Sequence, residues 1–148
     1  MEPIGPRNSL EEPRFSNSTT FARLPTLAEV GSAGIAIVGA PFDAGVSYRP
    51  GARFGPLAIR TGSQLLRPYD PALDLFPFGK VQVADAGDMG INPFSIDEAI
   101  ATIETRASEL ATHADRIITL GGVHRCLMDV SPPRLDMSLD LLEVTMNR

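Results

Sequence analysis

A chain of 148 residues fits one ordinary domain, and 43% hydrophobic with 21% charged residues excludes a disordered polymer. A net charge of -5 gives no basis for binding nucleic acid or anionic membranes, which rests on clustered Lys and Arg. Cys126 is the single cysteine, which excludes an intrachain disulfide and a cysteine-based zinc site and points to a reducing, cytoplasmic setting.

Residues 1–26 mix Pro3, Pro6, Pro13, Asn8 and Asn17 with Ser and Thr and show no sustained hydrophobic period. They are expected to form an N-terminal arm, either disordered or packed on a neighbouring subunit. Glu2, Glu11 and Glu12 stand where a secretory leader would place basic and then apolar residues, so neither secretion nor a mitochondrial presequence is expected. No apolar run reaches the roughly 18 residues of a membrane span.

Gly34 to Ala40 is a short apolar run bounded by glycine, the pattern of a strand buried on both faces of a parallel sheet. Pro41 to Gly55, dense in Gly and Pro, predicts a long ordered loop. Pro56 then suits the first position of a helix in which Leu57, Ile59, Leu65 and Leu66 make the apolar contacts. Pro68 to Gly79 reads as a connector, and Val81, Val83 and Ala84 as a second strand ending in Asp85-Ala-Gly-Asp88.

Ser95 and Glu98 have the spacing of a capping box. Ile96, Ala99, Ile100, Ile103, Ala107, Leu110 and Ala111 follow at helical intervals. Arg116 to Leu120 is a third short strand. This alternation predicts parallel crossovers and a sheet covered by helices on both sides, and residues 27–125 are taken as the amino-terminal part of one domain. Beyond it, residues 126–148 are a tail in which Leu135, Leu139, Leu142 and Met146 either form one helical face or belong to a poorly ordered end.

In such a sheet, functional groups collect beyond the carboxyl ends of the strands. Gly121-Gly122-Val123-His124 follows the third strand, and two glycines there let the chain turn sharply and aim His124 into the crevice, where a neutral imidazole binds metal or transfers protons. A packed or solvated histidine is the plainer alternative. His113, after the long helix, reads as a partner of free helix carbonyls. Asp85 and Asp88 suggest acid–base or metal work, but carboxylates in a glycine-containing turn more often cap backbone N–H groups. The loop carries Asp43, Ser47, Tyr48, Arg49 and Arg53 without a phosphate-loop signature, and pairing between its arginines and Asp43 is the expected outcome.

The stretch Gly39-Ala-Pro-Phe-Asp-Ala-Gly-Val-Ser-Tyr-Arg-Pro-Gly-Ala-Arg-Phe-Gly-Pro-Leu-Ala-Ile-Arg60 resembles the first shared segment of agmatinases and related ureohydrolases. So do Pro13-Arg-Phe, Phe21-Ala-Arg-Leu-Pro, Val83-Ala-Asp-Ala-Gly-Asp88 and Leu120-Gly-Gly-Val-His124. The resemblance implies an α/β fold, a three-layer α/β/α sandwich with a parallel sheet, incomplete in this chain. It further implies hydrolysis of a small guanidino substrate such as agmatine to urea, two manganese ions, and a homo-oligomer.

The resemblance makes His124 the metal ligand. Val123 and Arg125 depart from the family's Gly-Gly-Asp-His-Ser/Thr pattern there, and Arg125 would place a cation beside the metal. The later Asp-Ala-His-x-Asp and Asp-x-Asp stretches have no counterpart, since Arg134 to Asp140 holds two aspartates without the histidine between them. The chain alone is therefore expected to be catalytically incomplete, or to be a non-enzymatic fragment that associates with full-length subunits.

Overall fold

The computed structural model describes residues 2–16, 19–44, 46 and 48–121. Its framework is a sheet of three parallel strands, β1 (Ala33–Gly39), β2 (Val83–Asp88) and β3 (Ala114–Leu120), in the order β2-β1-β3. Between them lie α1 (Leu27–Val30), α2 (Gly55–Ser63) and α3 (Ile96–Leu110). β1 is central because its apolar side chains alternate between two cores. Val38 joins Ala40, Phe42, Met89, Ala99, Ile103 and Leu110 beneath α3. Ile37 joins Ala22, Leu24, Val83 and Leu120, with Ile59 of α2 against them. The two helices thus cover opposite faces, and the α/β layering expected from the strand–helix alternation is present.

β1 and β3 begin one and two residues earlier than expected and β2 begins at Val83, leaving Val81 outside, while two further boundaries have a clear physical reason. β2 runs on through Asp85 to Asp88, because polar residues at a strand's carboxyl end are tolerated where an arginine meets them. α2 stops at Ser63, so Leu65 and Leu66 lie beyond it and, with Leu57, are exposed. The face α2 buries carries Pro56, Arg60 and Ser63, a polar stripe that a search for apolar periodicity passes over. α3 begins at Ser95, whose hydroxyl accepts from the Glu98 N–H at 3.3 Å, while the Glu98 carboxylate turns to Asn92, so only half of the predicted capping box forms. A complete box forms at α1, between Thr26 and Glu29.

The described part of the arm lies on its own domain. The Arg7 N–H donates to the Arg23 carbonyl at 3.0 Å, the Arg23 guanidinium donates back to the Arg7 carbonyl at 2.8 Å, and Ile4 exchanges two hydrogen bonds with the Gln82 side chain. Ala22 and Arg23 both adopt left-handed backbone, at φ 49° and 60°, which costs roughly 1–2 kcal/mol per residue. Three bonds hold that turn: the Ala22 N–H to Ser63 Oγ at 2.7 Å, the Phe21 N–H to Asp85 at 2.6 Å, and the Arg7 bond already given.

Candidate functional site

The order β2-β1-β3 reverses direction at β1, a switch point of the kind at which a crevice is expected beyond the strands' carboxyl ends. Its floor is built by close approach. A methyl group on Gly39 would collide with the Asp88 carboxylate and lie 2.9 Å from Pro56. Gly121, at φ 71°, would place a Cβ 2.7 Å from Pro56 Cδ. Glycine at these two positions is what allows the amino terminus of α2 to sit over the strand ends. The Ala40 N–H to the Leu120 carbonyl at 3.0 Å and the Met89 N–H to the Gly39 carbonyl at 2.8 Å tie the three strand ends together.

One wall is the loop that leaves β1. Phe42 and Asp43 are buried, and Asp43 accepts from the Gly51 N–H at 2.6 Å and from Arg53 Nε at 2.5 Å. The Arg53 hydrogen bond holds the Asp43 carboxyl below the usual carboxylate range against the opposing effect of burial, and the Gly51 N–H adds to the lowering. The same contact raises the Arg53 guanidinium. The expected pairing of a loop arginine with Asp43 is thus formed. Tyr48 and Arg49 stand outside it, with the Arg49 guanidinium 5.3 Å from the Tyr48 ring centroid.

Beneath the other side lies a charged knot centred on Arg60, which is 6% exposed. Its Nε and Nη2 donate to the two oxygens of Asp85 at 2.8 and 2.9 Å, Nη1 donates to Asp88 at 2.5 Å, and Nη2 reaches the Gly87 carbonyl at 2.8 Å. Burial disfavours the Arg60 charge, but the two aspartates outweigh it and the guanidinium is raised. Asp85 also accepts from the Phe21 and Gly87 N–H groups. Asp85 thus caps two backbone N–H groups as the sequence reading favoured, whereas Asp88 is bonded by Arg60, a partner that reading did not name. Sequence reasoning missed Arg60; the available signal was its spacing from Pro56 and Ser63, which puts all three on one side of the helix.

His124 lies outside the described residues, as do Ser47, Val123, Arg125 and the whole 126–148 tail. His113 is described and lies at the wrong end: its carbonyl accepts from the Ala33 N–H at the start of β1, roughly 20 Å along the strands from the crevice. A cavity of about 550 Å³ lies between α1 and the end of α3, lined by Leu27, Asp85, Gly87, Arg106, Leu110 and His113, and so borders the Arg60 knot. Among the described residues no three His, Cys, Asp or Glu side chains gather as metal ligands, and Asp43 and Asp85 are already engaged by arginines. That donor set does not fit a metal centre.

The crevice loop, the Arg60 knot and the strand ends all fall inside a stretch, residues 33–130, that matches the family model for the arginase family. The chain belongs to the arginase family. It is 40% identical over 128 residues to guanidinobutyrase of Pseudomonas aeruginosa, a match that covers 84% of this chain and 40% of the enzyme. The solved structure of proclavaminate amidino hydrolase from Streptomyces clavuligerus superposes with a TM-score of 0.74 at 35% identity, over 80% of this chain and 40% of that one. Formiminoglutamase of Trypanosoma cruzi, solved with Mn2+, superposes with a TM-score of 0.54 at 25% identity, over 68% of this chain and 36% of that one. The chain thus spans about 40% of the length of the relatives it matches. The fold and family expected from the Gly39 to Arg60 stretch are those found, and these relatives are hydrolases of guanidino or kindred compounds by name.

Proposed function

We propose that this chain supplies the amino-terminal part of a manganese-dependent, cytoplasmic hydrolase that releases urea from a small guanidino compound, either a guanidino acid or agmatine, within a homo-oligomer. The observation that carries this reading is the coincidence of the arginase-family match with the crevice: the residues that build the floor, Gly39, Pro56 and Gly121, all lie within 33–130. His124, four residues past the end of β3 and inside the same matched stretch, is the metal ligand in this reading. The described residues contribute shape, through a loop held by Asp43 and Arg53 and a helix terminus held by Arg60.

The same reading makes the chain catalytically incomplete by itself. The sequence contains two histidines, and His113 stands at the opposite end of the sheet from the crevice. Among the described residues Asp43 and Asp85 are already engaged by arginines and no three donors gather, which is too few for two ions. Isothermal titration with Mn2+ and a urea assay with 4-guanidinobutyrate and agmatine test this. Neither manganese uptake nor urea is expected from the chain alone, and urea release by the purified chain would overturn its incompleteness. A second reading, a non-enzymatic fragment that associates with full-length subunits, is favoured by the outer edge of β3, which has no paired strand among the described residues.

A further inference from the structure

Arg23 is a buried cation that meets no carboxylate among the described residues. It is 4% exposed, and its Nε is sealed from solvent without a hydrogen-bond partner. The side chain's one bond among the described residues runs from Nη1 to the Arg7 carbonyl at 2.8 Å. A single neutral carbonyl offsets little of the cost of burying a guanidinium, which folded proteins ordinarily meet with an anion. Burial, and then the charge of Arg14, lower the Arg23 guanidinium below its ordinary value, the direction of a cation without a counter-charge.

Three acidic side chains of the arm and α1 are committed elsewhere. Glu12 and Glu29 pair with Arg7 at 3.2 and 2.9 Å, and Glu11 accepts from Asn8 at 3.0 Å. Arg60 shows what the unfilled side of Arg23 is shaped for. At Arg60 the Nε and Nη2 edge grips the two oxygens of Asp85, at 2.8 and 2.9 Å. At Arg23 the bonded atom is Nη1, and the Nε edge is left without an acceptor. The parallel N–H groups of that edge match the two oxygens of one carboxylate. The left-handed backbone at Ala22 and Arg23 is itself fixed, by the Ala22 N–H on Ser63 and the Phe21 N–H on Asp85, so the edge is held in one orientation.

We infer that Arg23 is a receptor for a carboxylate from outside the described residues, whose two oxygens lie against its Nε and Nη2. Arg14 adds attraction for the same charge. Nothing in this site depends on the hydrolase reading. Because Nε is sealed from water, the incoming group displaces the atoms that cover it, and its arrival registers at that N–H. Two sources supply such a group: a free organic acid, or an aspartate or glutamate of a second copy of this chain, which carries 18 acidic residues.

The test follows the Arg23 Nε–H by nuclear magnetic resonance of the isotope-labelled full chain, with the Arg60 Nε–H as a reference already bonded to Asp85. In dilute chain free of organic acids, the Arg23 resonance is expected upfield of the Arg60 one. Acetate added at constant ionic strength is expected to move it downfield saturably while Arg60 stays in place, which assigns a free acid. Movement on raising the chain concentration, with self-association in sedimentation, assigns the second copy. Arg14→Gln is expected to weaken either response by up to about fivefold with the Arg60 signal unchanged. Where acetate is the source, it is also expected to raise the melting temperature of the chain but not of Arg23→Lys, which keeps the charge and lacks the fork.

An Arg23 Nε–H unmoved by both acetate and chain concentration overturns the inference. One already downfield in dilute chain without acetate overturns it too, because a residue of the same chain then fills the fork. A response to sodium chloride equal to that with acetate, or an equal melting shift in Arg23→Lys, reduces the effect to general screening and likewise sinks it.

Discussion

β2 and β3 flank the same central strand, yet one edge is closed by the arm and the other has no paired strand among the described residues. The difference lies in what each edge offers. β2 ends in Asp85, an acceptor able to order a passing segment, and Asp85 is itself neutralised by Arg60 from beneath. The outer side of β3 has no strand paired with it among the described residues. A sheet edge is thus closed by supplying a charge-stabilised anchor for cover, more than by the strand's own composition.

The largest expected effect breaks the closed edge from below. Arg60→Leu leaves Asp85 buried at 2% exposure without its cation and is expected to destabilise the chain by about 3–5 kcal/mol, read by urea unfolding. The Phe21 and Asp85 amides should then lose hydrogen-exchange protection. If the loss stays below about 1 kcal/mol, the anchor account is wrong.

Gly121→Ala acts on the other side. It forces a Cβ at positive φ into Pro56, with an expected cost of about 1–3 kcal/mol and loosening at the start of α2, while the arm's protection stays unchanged. A variant that loses arm protection equally would show that the two sides are not separable.

Thr26→Ala removes the capping hydroxyl of α1 beside the bridge to Asp85. A loss of about 1 kcal/mol is expected, with faster exchange confined to Asp85 and α1.

The smallest effect sharpens the comparison by leaving both edges alone. Asp43 has its carboxyl lowered first by Arg53, so its contribution is fully present above the ordinary carboxylate value of about 4 and is lost as pH falls through the lower folded value. Nuclear magnetic resonance of the Gly51 amide should show its bond to Asp43 surviving below pH of about 4, then opening without change at Ile4 or Arg116. Opening at or above that pH would contradict the lowered carboxyl.

The alternation of short apolar runs with one amphipathic helix was enough to read the layers, because burial on two faces writes itself into hydrophobic period. The Gly39 to Arg60 stretch made the family legible, and the Asp43–Arg53 pair followed from a loop needing one shape. Arg60, the left-handed turn at Ala22 and Arg23, and the Thr26 box were not legible. Arg60 pairs with residues 25 and 28 positions away, and the turn at Ala22 is held by Ser63, 41 positions away, so neither leaves a local pattern. The Thr26–Glu29 box has the local spacing, but the prolines and polar residues around it drew the boundary of an arm through that point.

The arm's docking also bears on the order in which the molecule forms. A ribosome releases the arm first, but Ile4 finds Gln82 only 78 residues later, and β1 meets β3 later still. Until then β1 has no neighbour and the arm has no seat. The pairings of the sheet are therefore non-local, which slows folding and lengthens the interval during which bare strands can pair with other chains. The segment made first is among the last to be fixed, and its arrival completes the sheet on one side.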